Sequence, residues 1–143
     1  MKSYLLVFMQ FFIIFLMLLP LGEVSSSLYI GGAVLLLGGL IGLAALYANR
    51  VGNFNVRPDI RENCVLITSG IYAFIRHPMY SSVLLMMLGI LIIYPIVYEA
   101  VLYGALVVTL LVKMFYEEKL WHCGSQEYKI YSENTKRLIP YLF

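Results

Sequence analysis

Residues 70–82 read "GIYAFIRHPMYSS" and stand between a polar segment and a long apolar run. Arg76, His77 and Pro78 fall in a row where the chain turns apolar. Pro78 sets the local geometry. The residue before a proline avoids the α region, so a helix running through His77 is disfavoured. Proline itself is favoured at the first helical position. His77 is therefore expected as a cap residue, with a helix starting at Pro78. The first-turn N–H groups of such a helix carry the positive end of its dipole and favour anions. Arg76 adds a permanent charge with a planar fork suited to carboxylate or phosphate, and Tyr80 lies within the first turn. Two readings compete: anchor residues at a membrane edge, or the mouth of a site for a charged small molecule.

The composition places the stretch in a membrane protein. The chain has 143 residues, of which 62% are hydrophobic and 13% charged. A soluble domain is about half apolar and about a quarter charged. The length suits one domain, taken as residues 1–143. A net charge of +2 does not suggest a nucleic-acid partner. Cys64 and Cys123 lack metal-type spacing, and His77 and His122 are far apart, so no metal site is expected.

Working outward from Pro78, four apolar segments emerge. Residues 4–21 are apolar except for Gln10, and the run is longer than the apolar core of a signal peptide. It is expected as a retained span. Residues 28–48 form the second, with glycines and alanines that let another helix approach closely. Residues 78–116 are too long for one span and fit two. Pro95 breaks helical bonding and Glu99 is costly in lipid, so the third helix is expected over 78–93 and the fourth over 97–116. Residues 49–70 form a polar connection holding Arg50, Arg57 and Arg61. Gly124 reads as a helix stop, followed by a short interfacial helix over 126–134 with Tyr128 and Tyr131 on one face. The expected fold is all-α and integral to the membrane, with four transmembrane helices, a cytosolic loop and that C-terminal helix.

The charges orient this arrangement. With the N-terminus inside, all ten Lys and Arg lie inside or at the inner membrane edge, and the outer loops carry only Glu23 and Glu99. That is the positive-inside pattern, with both termini cytosolic. Lys113 is close enough to the inner end of the fourth helix to snorkel. Both cysteines then face the cytosol, where a structural disulfide is not expected.

A second cluster, Glu117-Glu118, ends the fourth helix at the same depth as Arg76-His77-Pro78. A helix C-terminus prefers cations, so two carboxylates there oppose the dipole. One reading is a solvated helix end. The other pairs an anion-seeking mouth with a cation-seeking one, which suits a zwitterion bearing a carboxylate and an amine.

These residues carry a family resemblance. "LITSGIYAFIRHPMY" (residues 66–80) resembles the hallmark of the isoprenylcysteine carboxyl methyltransferase family. "EEKLWHCGSQEYKIYSENTKRLIPYLF" (residues 117–143) is similar to that family's closing signature, and "FNVRPDIRENCVLITSG" (residues 54–70) to the segment leading into the motif in small bacterial members. The likeness covers residues 53–143; the first two helices match only in kind. It implies an integral membrane enzyme that uses S-adenosylmethionine. Family cofactor contacts carry over to Cys64, Val65, Leu66 and Ile67, to Tyr72, to His77, Pro78, Met79 and Tyr80, and to Glu117 or Glu118. Cys64 departs from the histidine those enzymes often have there. Lys113 stands one turn before Glu117, where relatives tend to have a basic residue facing substrate, and Arg76 belongs to the hallmark motif.

The expected activity is methyl transfer to an amphiphilic, lipid-like acceptor that arrives from the bilayer. A carboxylate, an amine and a thiol all remain open as the group methylated. Arg76 or Lys113 would orient a carboxylate; His77 or a glutamate would take the proton from an amine. The expected location is a multi-pass membrane protein, in the inner membrane if the source is bacterial. The alternatives are an NADPH-dependent membrane reductase, from the shared Arg-His-Pro string, and a non-enzymatic four-helix transporter or accessory protein. The sequence leaves the oligomeric state open, although the glycine-rich second helix offers a packing face.

Overall fold

A computed structural model describes residues 2–19, 21–49 and 66–143. Cys64 and Val65 lie outside the described residues, as does nearly all of the polar connection. Five α-helices and one 3-10 turn follow in order: α1 (Lys2–Met17), α2 (Leu28–Asn49), η1 (Gly70–Ala73), α3 (Pro78–Ile93), α4 (Val97–Gly124) and α5 (Gln126–Asn134). The described residues hold no strand, only an isolated parallel bridge between Ile75 and Lys136.

The all-helical expectation holds, and the helix starts follow the prolines. Pro78 occupies the first turn of α3, and His77 is its N-cap residue with φ −122° and ψ 56°. Its carbonyl accepts from the Tyr80 and Ser81 amides at 3.0 and 3.1 Å. The His77 side chain makes no capping bond and is left for other contacts. α3 ends at Ile93, two residues before Pro95, and α4 begins at Val97.

Two differences have physical causes. α1 stops at Met17 instead of reaching residue 21, because Leu19 precedes Pro20 and such a residue avoids helical geometry. α4 runs on past residue 116 to Gly124. Glu117 and Glu118 therefore lie nearly two turns inside the helix, where the dipole, felt within the last turn, hardly opposes them. Of the four expected spans, α2 and α4 are long and apolar enough to cross a membrane. α1 and α3 are apolar but have 16 residues each, about 24 Å of helix against about 30 Å of hydrocarbon.

α2 and α3 pack antiparallel along a seam of small residues. A Cβ on Gly31 would lie 2.8 Å from the Gly89 carbonyl oxygen, and one on Gly38 would lie 2.8 Å from the Met86 backbone nitrogen. Ser82 locks the seam by donating to the Gly38 carbonyl at 2.7 Å. At the C-terminal end of α3, Ser25 donates its amide to Ile93 and its hydroxyl to Ile92, at 2.9 and 2.8 Å. On the other side of α3, Ile13 and Met17 of α1 meet Met87, Leu106 and Leu110 in a buried apolar cluster. α1 thus packs chiefly on α4, and α3 is held between that pair and α2.

The seam makes a sharp prediction. Gly38 and Gly39 are neighbours on α2, but a Cβ on Gly39 would meet nothing within 4 Å. Gly38→Val is expected to destabilise the protein by about 1–3 kcal/mol through overpacking. Gly39→Val, with the same change in helix propensity, is expected to leave the melting temperature nearly unchanged. Thermal melting of both variants in detergent checks this.

Candidate functional site

The site is built where α3 begins. Gly70 opens the approach with φ +62°, a left-handed conformation that glycine adopts without a Cβ penalty. η1 then packs on the end of α2 and delivers residues 74–77 alongside the segment after α5. Arg76 donates its amide to Lys136 at 2.7 Å and His77 donates to Arg137 at 3.0 Å, while Lys136 donates back to Phe74 at 3.3 Å. These backbone bonds tie the lead-in to α3 to the segment after α5, and side-chain contacts then join Arg76 and His77 to Glu117 and Glu118.

Glu118 is the hub. Its Oε1 accepts from Arg76 Nε at 2.9 Å and its Oε2 from Arg137 Nε at 2.9 Å. The carboxylate is buried and neutralised on both sides. Arg76 reaches further: its Nη1 donates to the Ser132 carbonyl at 2.8 Å and to the Thr135 carbonyl. These oxygens end α5, and a cation suits a helix C-terminus. The Arg76 side chain is 6% exposed, and its Nε and Nη1 are spent on protein. Arg137 also lies over the rings of Phe115 and Phe143, 5.3 and 5.5 Å from their centroids.

Glu117 is placed differently. Its Oε2 accepts from the Tyr80 hydroxyl at 2.8 Å, and its side chain is 28% exposed. His77 lies between the two acids, with Nδ1 3.9 Å from Glu117 and Nε2 3.4 Å from Glu118. Nε2 is buried and, among the described residues, makes no hydrogen bond at that separation. The His77 ring stacks on Tyr80 with centroids 5.2 Å apart and planes 5° from parallel.

Aromatic residues of η1, α4 and α5 flank the cluster. The Tyr131 hydroxyl donates to the Tyr72 carbonyl at 2.6 Å. Burial pushes the Tyr131 phenol up to about 12. Burial, reinforced by Glu117, raises Tyr72 to about 12. Tyr128 stacks on Trp121; burial and then Glu118 raise its phenol well above the ordinary range, and its hydroxyl is buried without a hydrogen-bond partner among the described residues. An open cleft of about 370 Å³ runs between η1 and α5, bordered by Thr68, Ala73, Ile130 and Tyr131. Leu66 and Ile67 lead into it, partly buried.

Lys113 does not snorkel: it is 2% exposed, and its ammonium donates to Gln10 Oε1 of α1 at 2.7 Å. It also lies 5.3 Å from the centroid of the Tyr80 ring. Sequence reasoning singled out neither Gln10 nor Arg137 as a site residue. The signal for Gln10 was its isolation as the polar residue of the first apolar run; Arg137 was visible as the basic residue before Leu-Ile-Pro.

The fold and this cluster define a helical membrane protein that gathers both signs of charge at one end of its apolar helices. The chain belongs to the phospholipid methyltransferase family, whose model matches residues 26–123, well over half of its length. It is accordingly a membrane methyltransferase by family, within the isoprenylcysteine carboxyl methyltransferase-like group. The match takes in α2, which the motif resemblance did not cover, and stops short of α5 and the closing segment. No curated protein matches the chain.

The glutamate pair is expected to divide on mutation. Glu118→Ala leaves the buried Arg76 without its counter-ion and should cost about 3–5 kcal/mol. Glu117→Gln keeps an acceptor for Tyr80 and should cost under about 1 kcal/mol. Melting temperatures of the two variants in detergent would read the difference.

Proposed function

We propose that the chain moves a methyl group from S-adenosylmethionine to an amphiphilic acceptor. One observation carries the reading: the two acids are not equivalent. Glu118 is consumed by two arginines, whereas Glu117 is partly exposed and bonded only through Oε2 to Tyr80 among the described residues. Glu117 is therefore the acid assigned to the cofactor amine.

The residues present fit such a group. Among the described residues, His77 offers a buried ring nitrogen with no hydrogen-bond partner, and the Met79 amide, in the first turn of α3, has no backbone acceptor. Both suit the cofactor's carboxylate, with Pro78 setting the helix start. Leu66, Ile67 and Tyr72 provide an apolar and aromatic surface for its adenine, to which Cys64 and Val65 are assigned from the family pattern. When bound, the cofactor supplies an electrophilic methyl on a sulfonium. The protein's part is positioning and electrostatics. Tyr80 holds Glu117 in place, and Arg76 with Glu118 fixes the lead-in to α3 against α4 and α5. Lys113 is assigned to orient an acid group of the acceptor. For an amine acceptor, His77 is the base within reach of Glu117.

We assign the chain as one domain with four spans and both termini cytosolic. The distribution of Lys and Arg supports this orientation. α1 and α3 cross where the bilayer thins to match them. Family membership favours methyl transfer over the reductase and transporter alternatives.

Calorimetry with S-adenosylhomocysteine in detergent tests the site. The native chain should bind. His77→Ala and Glu117→Gln should each weaken binding by about tenfold or more, the scale of one charge-assisted hydrogen bond. Unchanged affinity in both variants would remove the site from these residues.

A further inference from the structure

Among the described residues, no carboxylate is in contact with the Lys113 ammonium. Lys113 is 2% exposed and donates to a neutral amide, Gln10 Oε1. The ion pairs found among the described residues are those of Arg76, His77 and Arg137 with Glu117 and Glu118. Burying an ammonium without an anion is costly. A neutral polar residue would tie α1 to α4 by hydrogen bonding at less cost. Nor is the ammonium isolated from the cluster around Glu117. It lies against the face of Tyr80, whose hydroxyl holds Glu117. A polar line thus runs from the cofactor-facing acid into the interior of the bundle and ends at Gln10.

We propose that Gln10 is a positioning residue. It fixes the Lys113 ammonium inside the bundle as the seat for one oxyanion of the acceptor, a carboxylate or a phosphate ester carried on an apolar tail. The amide oxygen holds the ammonium away from the membrane edge without neutralising it. The positive charge therefore remains available to an anionic group, one aromatic ring away from Glu117. Gln10 lies outside the residues that match the family, so α1 supplies this element of the seat. The inference rests on the methyltransferase reading, in which Lys113 faces the acceptor.

The experiment uses the full-length protein in a non-ionic detergent. Dodecanoate, dodecyl phosphate and dodecylamine are titrated by calorimetry, alongside S-adenosylhomocysteine. The native chain should bind at least one of the two anions and not the amine. Preference for dodecyl phosphate points to a phospholipid source, and preference for dodecanoate to a fatty or prenylated carboxylate. Gln10→Glu places a carboxylate on Lys113. It should raise the melting temperature yet weaken the anion by about tenfold or more, because the seat is already filled. Gln10→Leu should lower the melting temperature and weaken the anion as well, and Lys113→Met should abolish anion binding. Affinity for S-adenosylhomocysteine should stay within about twofold of native in the Gln10 variants. A purely structural Gln10 cannot give opposite changes in stability and anion affinity. Anion binding by Gln10→Glu equal to the native chain would overturn the proposal, as would dodecylamine binding as well as the anions. Failure of the native chain to bind S-adenosylhomocysteine counts against the methyltransferase site instead. Binding of S-adenosylhomocysteine with neither anion bound overturns the oxyanion seat alone.

Discussion

The Glu118 carboxylate, held between Arg76 and Arg137, is the constraint on which the site depends. Its two oxygens each take one guanidinium at 2.9 Å, so three charges from three parts of the chain are brought to one buried point. Removing Glu118 would leave the buried Arg76 without a counter-ion, and removing either arginine would leave one oxygen of the buried carboxylate without its guanidinium, which is why the arrangement holds as a unit. Arg76 extends the constraint by capping the end of α5 through Ser132 and Thr135. Ser81 of α3 adds a bond to the Leu138 carbonyl at 2.7 Å. The tail, α3, α4 and α5 thereby share one fixed frame, and His77 and Glu117 are mounted on it.

The frame would drift without a rigid α3. That rigidity comes from the other side of the helix. Close approach at Gly31, Gly38 and Gly89 lets backbone meet backbone along α2, a packing mode that works without any difference in polarity between protein and lipid. Ser82 fastens the same seam, and Ser25 ties the segment before α2 to the last turn of α3. One face of α3 is thus specified by contact distances and its first turn by charge. Neither would place the His77 ring alone.

Much of the fold was legible in the sequence because its determinants are local. Pro78, Pro95 and Gly124 each act within a residue or two, and the helices begin or end there as expected. The Tyr128–Tyr131 face came from spacing and reappears as an edge contact at 5.9 Å. What escaped was non-local. The choice between Glu117 and Glu118 depends on Arg137, 19 residues beyond Glu118, folding back onto it. The burial of Lys113 depends on Gln10, 103 residues away in sequence. Hydropathy read Lys113 as an edge residue since it registers charge but not partners. The spans were counted from apolar length, which does not separate a helix of 16 residues from one of 28 once prolines and glutamates set the ends.

α4 shows how far partners outweigh position along a helix. Glu99 lies in its first turn, where the dipole favours an anion; yet it is 1% exposed and one carboxylate oxygen has no hydrogen-bond partner. Glu118 lies far along the same helix without that advantage, and both its oxygens are bonded. A dipole contributes about 0.3–1 kcal/mol at a helix end, whereas losing the partner of a buried ion costs several times as much. The charged residues of this bundle are therefore placed by what folds back onto them. That ordering explains why a glutamate pair, ordinary as a helix end, becomes one buried acid held by two arginines and one that stays partly exposed.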